Sequence, residues 1–150
     1  MNRINLICLG VRDMARSLAF YRNIGFRTYE REECPPIVFF DNQGSKLELY
    51  PLEALARDID DVNPPTVWQG GFCGITLACN LKSEAEVDAF MAAVAEQGGE
   101  IVKRPQRVFW GGYSGYFRDP EGYYWEVAYG PNWRFDEDDM LIVEEPGEPA

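Results

Sequence analysis

Two carboxylates occupy the same place in two copies of one short pattern. Residues 41–49 read DNQGSKLEL and residues 119–127 read DPEGYYWEV. Asp41, Gly44 and Glu48 share the spacing of Asp119, Gly122 and Glu126, and an aromatic run precedes each copy, VFF or GYF. The Asp and Gly are turn chemistry: Asp caps the turn and Gly supplies a positive φ. The acids differ, because each falls inside a strand-like run. Strands alternate their faces, so Glu126 stands with Tyr124 and Ala128, away from Trp125, Val127 and Tyr129. Glu48 stands with Lys46 and Tyr50, away from Leu47 and Leu49. Such an acid either faces solvent from a one-sided sheet or lines a concave one. In a partly apolar cup its pKa would rise, and it could act as a general base toward a proton α to a carbonyl.

Aromatic side chains are the second candidate set. The chain carries nine Phe, eight Tyr and four Trp, densest in VFWGGYSGYF at 108–117. Gly111-Gly112 makes a turn beside Trp110 and Tyr113. Such rings either pack between parts of the protein or form a stacking wall for a flat or cationic ligand. The net charge of −11 favours a cationic guest over an anionic one. The same charge, with no run of Lys or Arg, speaks against nucleic acid and against an anionic membrane surface. Cys8, Cys34, Cys73 and Cys79 match no zinc or C-x-x-C spacing and read as reduced thiols of a cytoplasmic protein. The apolar run after MNR is short and is followed at once by Arg12-Asp13, so a strand is expected there and not a leader.

The elements that must position these residues come twice in one order. Residues 3–11 read as a strand. Asp13 caps the helix MARSLAFYRNI, which Gly25 ends, and FRTYERE, PIVFFD and KLELY follow as strands. In the second half FCGITLAC (72–79) is a strand. Ser83 and Glu86 form a capping box for EAEVDAFMAAVAEQ, and EIVKRP, GYSGYFRD and YYWEVAY complete the series. The expectation is an α+β fold of two βαβββ modules with curved mixed sheets, 1–51 and 71–130, within a single domain 1–130. The connector, 52–70, carries Pro64-Pro65 and one short helical turn near 52–59. Residues 131–150 are an acidic tail in which MLIV (140–143) pairs at an edge or with a partner chain, the chain beyond it being frayed.

Paired modules of this kind, the opening VRDMARSLAFYRNIGF and the closing FRDPEGYYWEV resemble the vicinal oxygen chelate superfamily. This is the glyoxalase, bleomycin resistance protein and extradiol dioxygenase group, and the resemblance covers roughly residues 3–130. It implies half-cup sheets and, in metal-dependent members, a divalent ion. The ligands there are a His or Gln on the first strand of each module and a Glu on each last strand. Glu48 and Glu126 match the acid positions. The first-strand positions fall on Leu6 and on Gly74 or close to it, and the chain has no histidine. Two carboxylates with water suit Mg²⁺ or Ca²⁺ weakly and zinc or iron poorly. No tightly bound Zn, Fe, Mn or Ni is expected, and no cofactor.

The resulting expectation is a metal-independent binding protein, a homodimer, with a small-molecule ligand in a cup. A pseudo-twofold would bring Glu48 and Glu126 together there, beside Tyr50 and Tyr124, with Trp110 and Tyr113 at the mouth. The alternative is a glyoxalase-like lyase or isomerase with Glu48 or Glu126 as base. Ring-cleaving oxygenation, which needs histidine-bound iron, ranks below both. A pure interaction module stays open.

Overall fold

The computed structural model describes residues 1–147, so the last three residues of the acidic tail lie outside the described residues. Seven strands and three helices follow in the order β1 (Leu6–Val11), α1 (Met14–Asn23), β2 (Val38–Phe39), β3 (Lys46–Pro51), α2 (Leu52–Ile59), β4 (Thr76–Leu81), α3 (Glu84–Glu96), β5 (Glu100–Arg107), β6 (Tyr113–Arg118) and β7 (Tyr124–Tyr129). They build an α+β fold with two mixed sheets, ordered β1-β3-β2 and β4-β7-β6-β5. The parallel pairs have one register. Leu6 opens β1 opposite Lys46 of β3, and Thr76 opens β4 opposite Tyr124 of β7. Glu48 and Glu126 are each the third residue of the closing strand, so the repeat read from the sequence is a structural repeat.

Local chemistry sets the helix ends. Asp13 accepts the Arg16 N–H at 3.0 Å and starts α1. Ser83 accepts the Glu86 N–H at 3.1 Å and starts α3. The Glu86 carboxylate reaches back to Lys82 N at 2.8 Å, one residue short of the reciprocal bond of a capping box. The helical turn expected near 52–59 is α2. No helix is long and apolar enough to cross a membrane among the described residues.

One expectation about local structure fails. FRTYERE forms no strand, which leaves the first sheet with three strands. This segment is tied to its neighbour by single bonds: Asp41 N donates to Arg27 O at 2.7 Å, and the Thr28 hydroxyl donates to Phe39 O at 2.6 Å. The Glu30 carboxylate accepts the N–H groups of Arg31 and Glu32, curling the chain locally, and Pro35-Pro36 then remove two ladder donors. The MLIV stretch pairs with the tail itself, through a bridge between Phe135 and Leu141.

One core serves both modules. Leu18, Phe20, Tyr21, Val38 and Leu49 from the first pack with Val87, Met91, Val94, Phe117 and Val127 from the second. At its centre Tyr21 is fully buried. Its hydroxyl donates to Asp119 Oδ2 at 2.5 Å and accepts the Trp125 indole N–H at 3.1 Å. Phe117 stacks on Trp125 with centroids 5.9 Å apart. The turn at 119–122 therefore does more than reverse the chain. Asp119 Oδ1 accepts the N–H groups of Glu121 and Tyr123, its Oδ2 holds α1, and Glu121 accepts the Asp13 N–H at 2.8 Å. In the first copy the side chains divide this work differently. Asn42, not Asp41, brackets the turn by accepting the Leu47 N–H, while Asp41 pairs with Arg27 and Lys46. Gly44 and Gly122 both take positive φ, +70° and +96°, as the turns require.

Candidate functional site

Alternation along β3 and β7 carries Glu48 and Glu126 to the sheet faces opposite the core. Leu47 and Leu49 on one strand, and Trp125 and Val127 on the other, are buried below them. Across the ladders Glu48 stands between Cys8 of β1 and Phe39 of β2. Glu126 stands between Ala78 of β4 and Tyr116 of β6. The Tyr116 phenol donates a hydrogen bond to Glu126. That bond, then burial, then the charge of the acid, pushes the phenol up to about 12. Cys8 is pushed up to about 11, chiefly by burial and secondarily by the Glu48 carboxylate, so it is a thiol at neutral pH.

The aromatic candidates separate. Tyr124 shares the Glu126 face, with Phe72 edge-on at 5.6 Å and the Arg118 guanidinium 5.8 Å from its centroid. Tyr50, two residues beyond Glu48, shares its face and is half-buried. Tyr113 does not join them. It lies on the helix side of β6 with Gly115 and Phe117, and its hydroxyl donates to Asp88 of α3 at 2.7 Å. Its place at a cup mouth was an expectation of the sequence, and period-two alternation overturns it. Trp110 stacks on Trp133 at 5.4 Å, with its ring folded over Gly112.

Within one chain Glu48 and Glu126 sit on two different sheets. No hydrogen bond joins them among the described residues, and neither acid lines the cleft between Leu47 and Trp125 or the smaller one beside Arg12 and Asp119. Both acid faces are open and apolar in part, the Glu48 face being covered by α2 only at its Gly10 end, where Leu52 and Leu55 pack. Leu6 is 46% and Phe39 50% exposed on one, and Phe72, packed on Tyr124, is 63% exposed at the other. Tyr116 was missed as the partner of Glu126, although counting outward from the Asp-Pro-Glu-Gly turn pairs the two. Cys8 beside Glu48 follows only from the parallel register, which no local signal carries.

The donor set can be tested against a divalent ion. Strand equivalence places the residue matching Leu6 at Thr76; Gly74 lies outside β4. The positions flanking the acids thus hold an alkyl group, a hydroxyl, a protonated thiol and Ala78. No group of three or more His, Cys, Asp or Glu able to hold a metal occurs among the described residues. This set does not fit the imidazole–carboxylate site that the resemblance implies.

The chain belongs to the Glyoxalase/Bleomycin resistance protein/Dioxygenase superfamily, whose family profile matches residues 3–127. Among solved structures it is similar to a glyoxalase-related enzyme from Fulvimarina pelagi, at 27% identity and TM-score 0.84, covering 97% of this chain and 100% of that one. It is also similar to a lactoylglutathione lyase from Agrobacterium tumefaciens, at 26% identity and TM-score 0.65, covering 90% and 98%. A glyoxalase/bleomycin resistance protein/dioxygenase family enzyme from Burkholderia phytofirmans PsJN shares the fold at 18% identity and TM-score 0.70, covering 85% and 98%. No curated protein matches the chain.

Proposed function

We propose that this protein binds a small organic molecule without a metal, in a cup formed where the Glu48 face of one copy meets the Glu126 face of a second. One observation carries the reading. The two acids hold equivalent positions on two different sheets whose acid-bearing faces are open in part, and neither acid lines the inter-module cleft of a single chain. Leu6, Phe39 and Phe72 would supply apolar area to such a contact, which needs about 800 Å² per partner to be stable. Tyr50 and Tyr124 would flank the ligand, and the carboxylates favour a cationic or hydrogen-bond-donating one. The four unpaired cysteines suit a cytoplasmic setting. The test is a thermal-shift panel of small aromatic cations, their neutral analogues and divalent ions, run on the wild type and on Glu126→Gln. Aromatic cations should stabilise the wild type more than the variant, and Zn²⁺, Mn²⁺ and Ni²⁺ should not. A large shift with a transition metal would overturn the reading.

A second reading is favoured by the Tyr116–Glu126 pair and by the names of two relatives, a glyoxalase-related enzyme and a lactoylglutathione lyase. Here Glu126 takes a proton α to a carbonyl, and the adjacent phenol donates to the oxygen that gains charge. Deuterium entering the α position of a carbonyl compound in D₂O, and lost with Glu126→Gln, would support it. Absence of exchange across a broad panel would remove it.

A further inference from the structure

A large cavity lies on the other side of the sheets from the acids. It occupies about 900 Å³ between the two modules. Its floor is built from residues that point toward the helices: Ile7 and Leu47 of the first sheet, and Leu77, Cys79 and Trp125 of the second. It is therefore separate from the Glu48 and Glu126 faces. The space exists because β1 and β4 are edge strands of different sheets, so no ladder draws the modules together here. Small-molecule sites commonly enclose about 300–1,000 Å³ over a mostly apolar floor.

The chain beyond β7 covers this cleft. Residues 134–142 fold back on themselves: Phe135 bridges Leu141, Ile142 N donates to Arg134 O, and the Asp136 carboxylate accepts the N–H groups of Asp138 and Met140. The resulting strap reaches both modules. Asp139 pairs with Lys82, just before α3, and the Met140 methyl presses on the β2–β3 turn so closely that a Cβ at Gly44 would fall 2.4 Å from it. Met140 and Asp138 both line the cavity.

The rim charges decide what fits. Arg27 and Lys46 share Asp41, and Lys82 pairs with Asp139. Asp138 has no ion-pair partner among the described residues, so it is the rim carboxylate left open to a cation. We propose that this inter-module cleft is a second binding site, for an organic amine whose aryl or alkyl body lies on Leu77 and Trp125 and whose ammonium group meets Asp138 under the strap. The site is independent of the function proposed above.

The test uses two probes with one apolar body and opposite charge, 4-phenylbutylamine and 4-phenylbutyrate. Each is titrated into the full chain labelled at the methionine methyls. The amine should shift the Met140 methyl saturably and bind roughly two- to five-fold tighter than the acid, the range expected of one partly solvated charge contact. Asp138→Asn should abolish that preference and keep the Met140 shift. Cys79→Phe, which places a ring in the cleft, should abolish binding of both probes if it folds. Glu126→Gln should change neither, which keeps this site distinguishable from the acid faces. No saturable Met140 shift, equal binding of the two probes, or loss of binding in Glu126→Gln would each overturn the proposal.

Discussion

Replacing Tyr21 with Phe removes one oxygen from the junction of the two modules. The ring stays, so no cavity opens. The loss is a bond to a buried carboxylate, with Tyr21 fully buried and Asp119 5% exposed. A hydrogen bond to a charged group contributes about 1.5–3 kcal/mol. The Trp125 indole N–H also loses its acceptor, and a buried donor without a partner costs about 1–3 kcal/mol. The two effects overlap because they share one oxygen, so a loss of about 3 kcal/mol is expected, or roughly 6–12 °C in Tm for a chain of this size. The sign with pH can also be derived. Burial raises the Asp119 pKa, and the Tyr21 hydroxyl and the turn N–H groups hold it down. A carboxyl raised by folding contributes stability that is present at low pH and lost as pH rises through its folded-state value. Without the hydroxyl that value rises further, so the gap between wild type and variant should widen from about pH 4 toward neutrality. Urea unfolding followed by circular dichroism at both pH values measures it. A loss below about 1 kcal/mol at neutral pH, or a gap that narrows as pH rises, would refute the reasoning.

Thiol labelling near pH 8 should be biphasic. Cys34 and Cys73 are exposed and should react first, while Cys8 and Cys79, both pushed up to about 11 chiefly by burial, are thiolate in only about one molecule in a thousand. A third fast equivalent would contradict this. In Glu126→Gln the Tyr116 hydroxyl should titrate clearly below about 12, although burial still holds it above the ordinary value of about 10, with stability changed by less than about 1 kcal/mol, because the acid lies off the core. An unmoved Tyr116 titration by NMR would show that the bond is not made. Gly112→Ala places a Cβ 1.8 Å from the Trp110 ring, so it should break the stack on Trp133 and erase the near-ultraviolet dichroism of the indole pair. An unchanged spectrum would count against the stack.

The helices were legible because short-range chemistry marks them. Asp13 and Ser83 cap them, and buried residues recur at helical spacing, as in Met14, Leu18 and Tyr21. The two acids were legible because a repeat compares the chain with itself, and the structural registers agree to the residue. FRTYERE misled because alternation alone does not make a strand. Neighbours must accept its ladder, and the Glu30 curl with the following prolines prevents this. Tyr113 was misplaced because a glycine-rich patch was read as one surface, although two-residue periodicity from Phe117 puts it on the helix side. The links that hold the modules together, Tyr21 to Asp119 and Glu121 to Asp13, span about a hundred residues and leave no local pattern. The cleft and its strap are equally non-local, since Met140 meets Gly44, far from it along the chain.

The account rests most heavily on the claim that one chain holds two half-sites and a second copy completes each. Sedimentation velocity at roughly ten to fifty micromolar, a range where an interface of standard size holds, tests it directly. The wild type should sediment as a dimer. Leu6→Asp, which places a charge on the open Glu48 face without touching the core, should sediment as a folded monomer. A wild type that stays monomeric across this range, or a Leu6→Asp variant that stays dimeric, would contradict the claim.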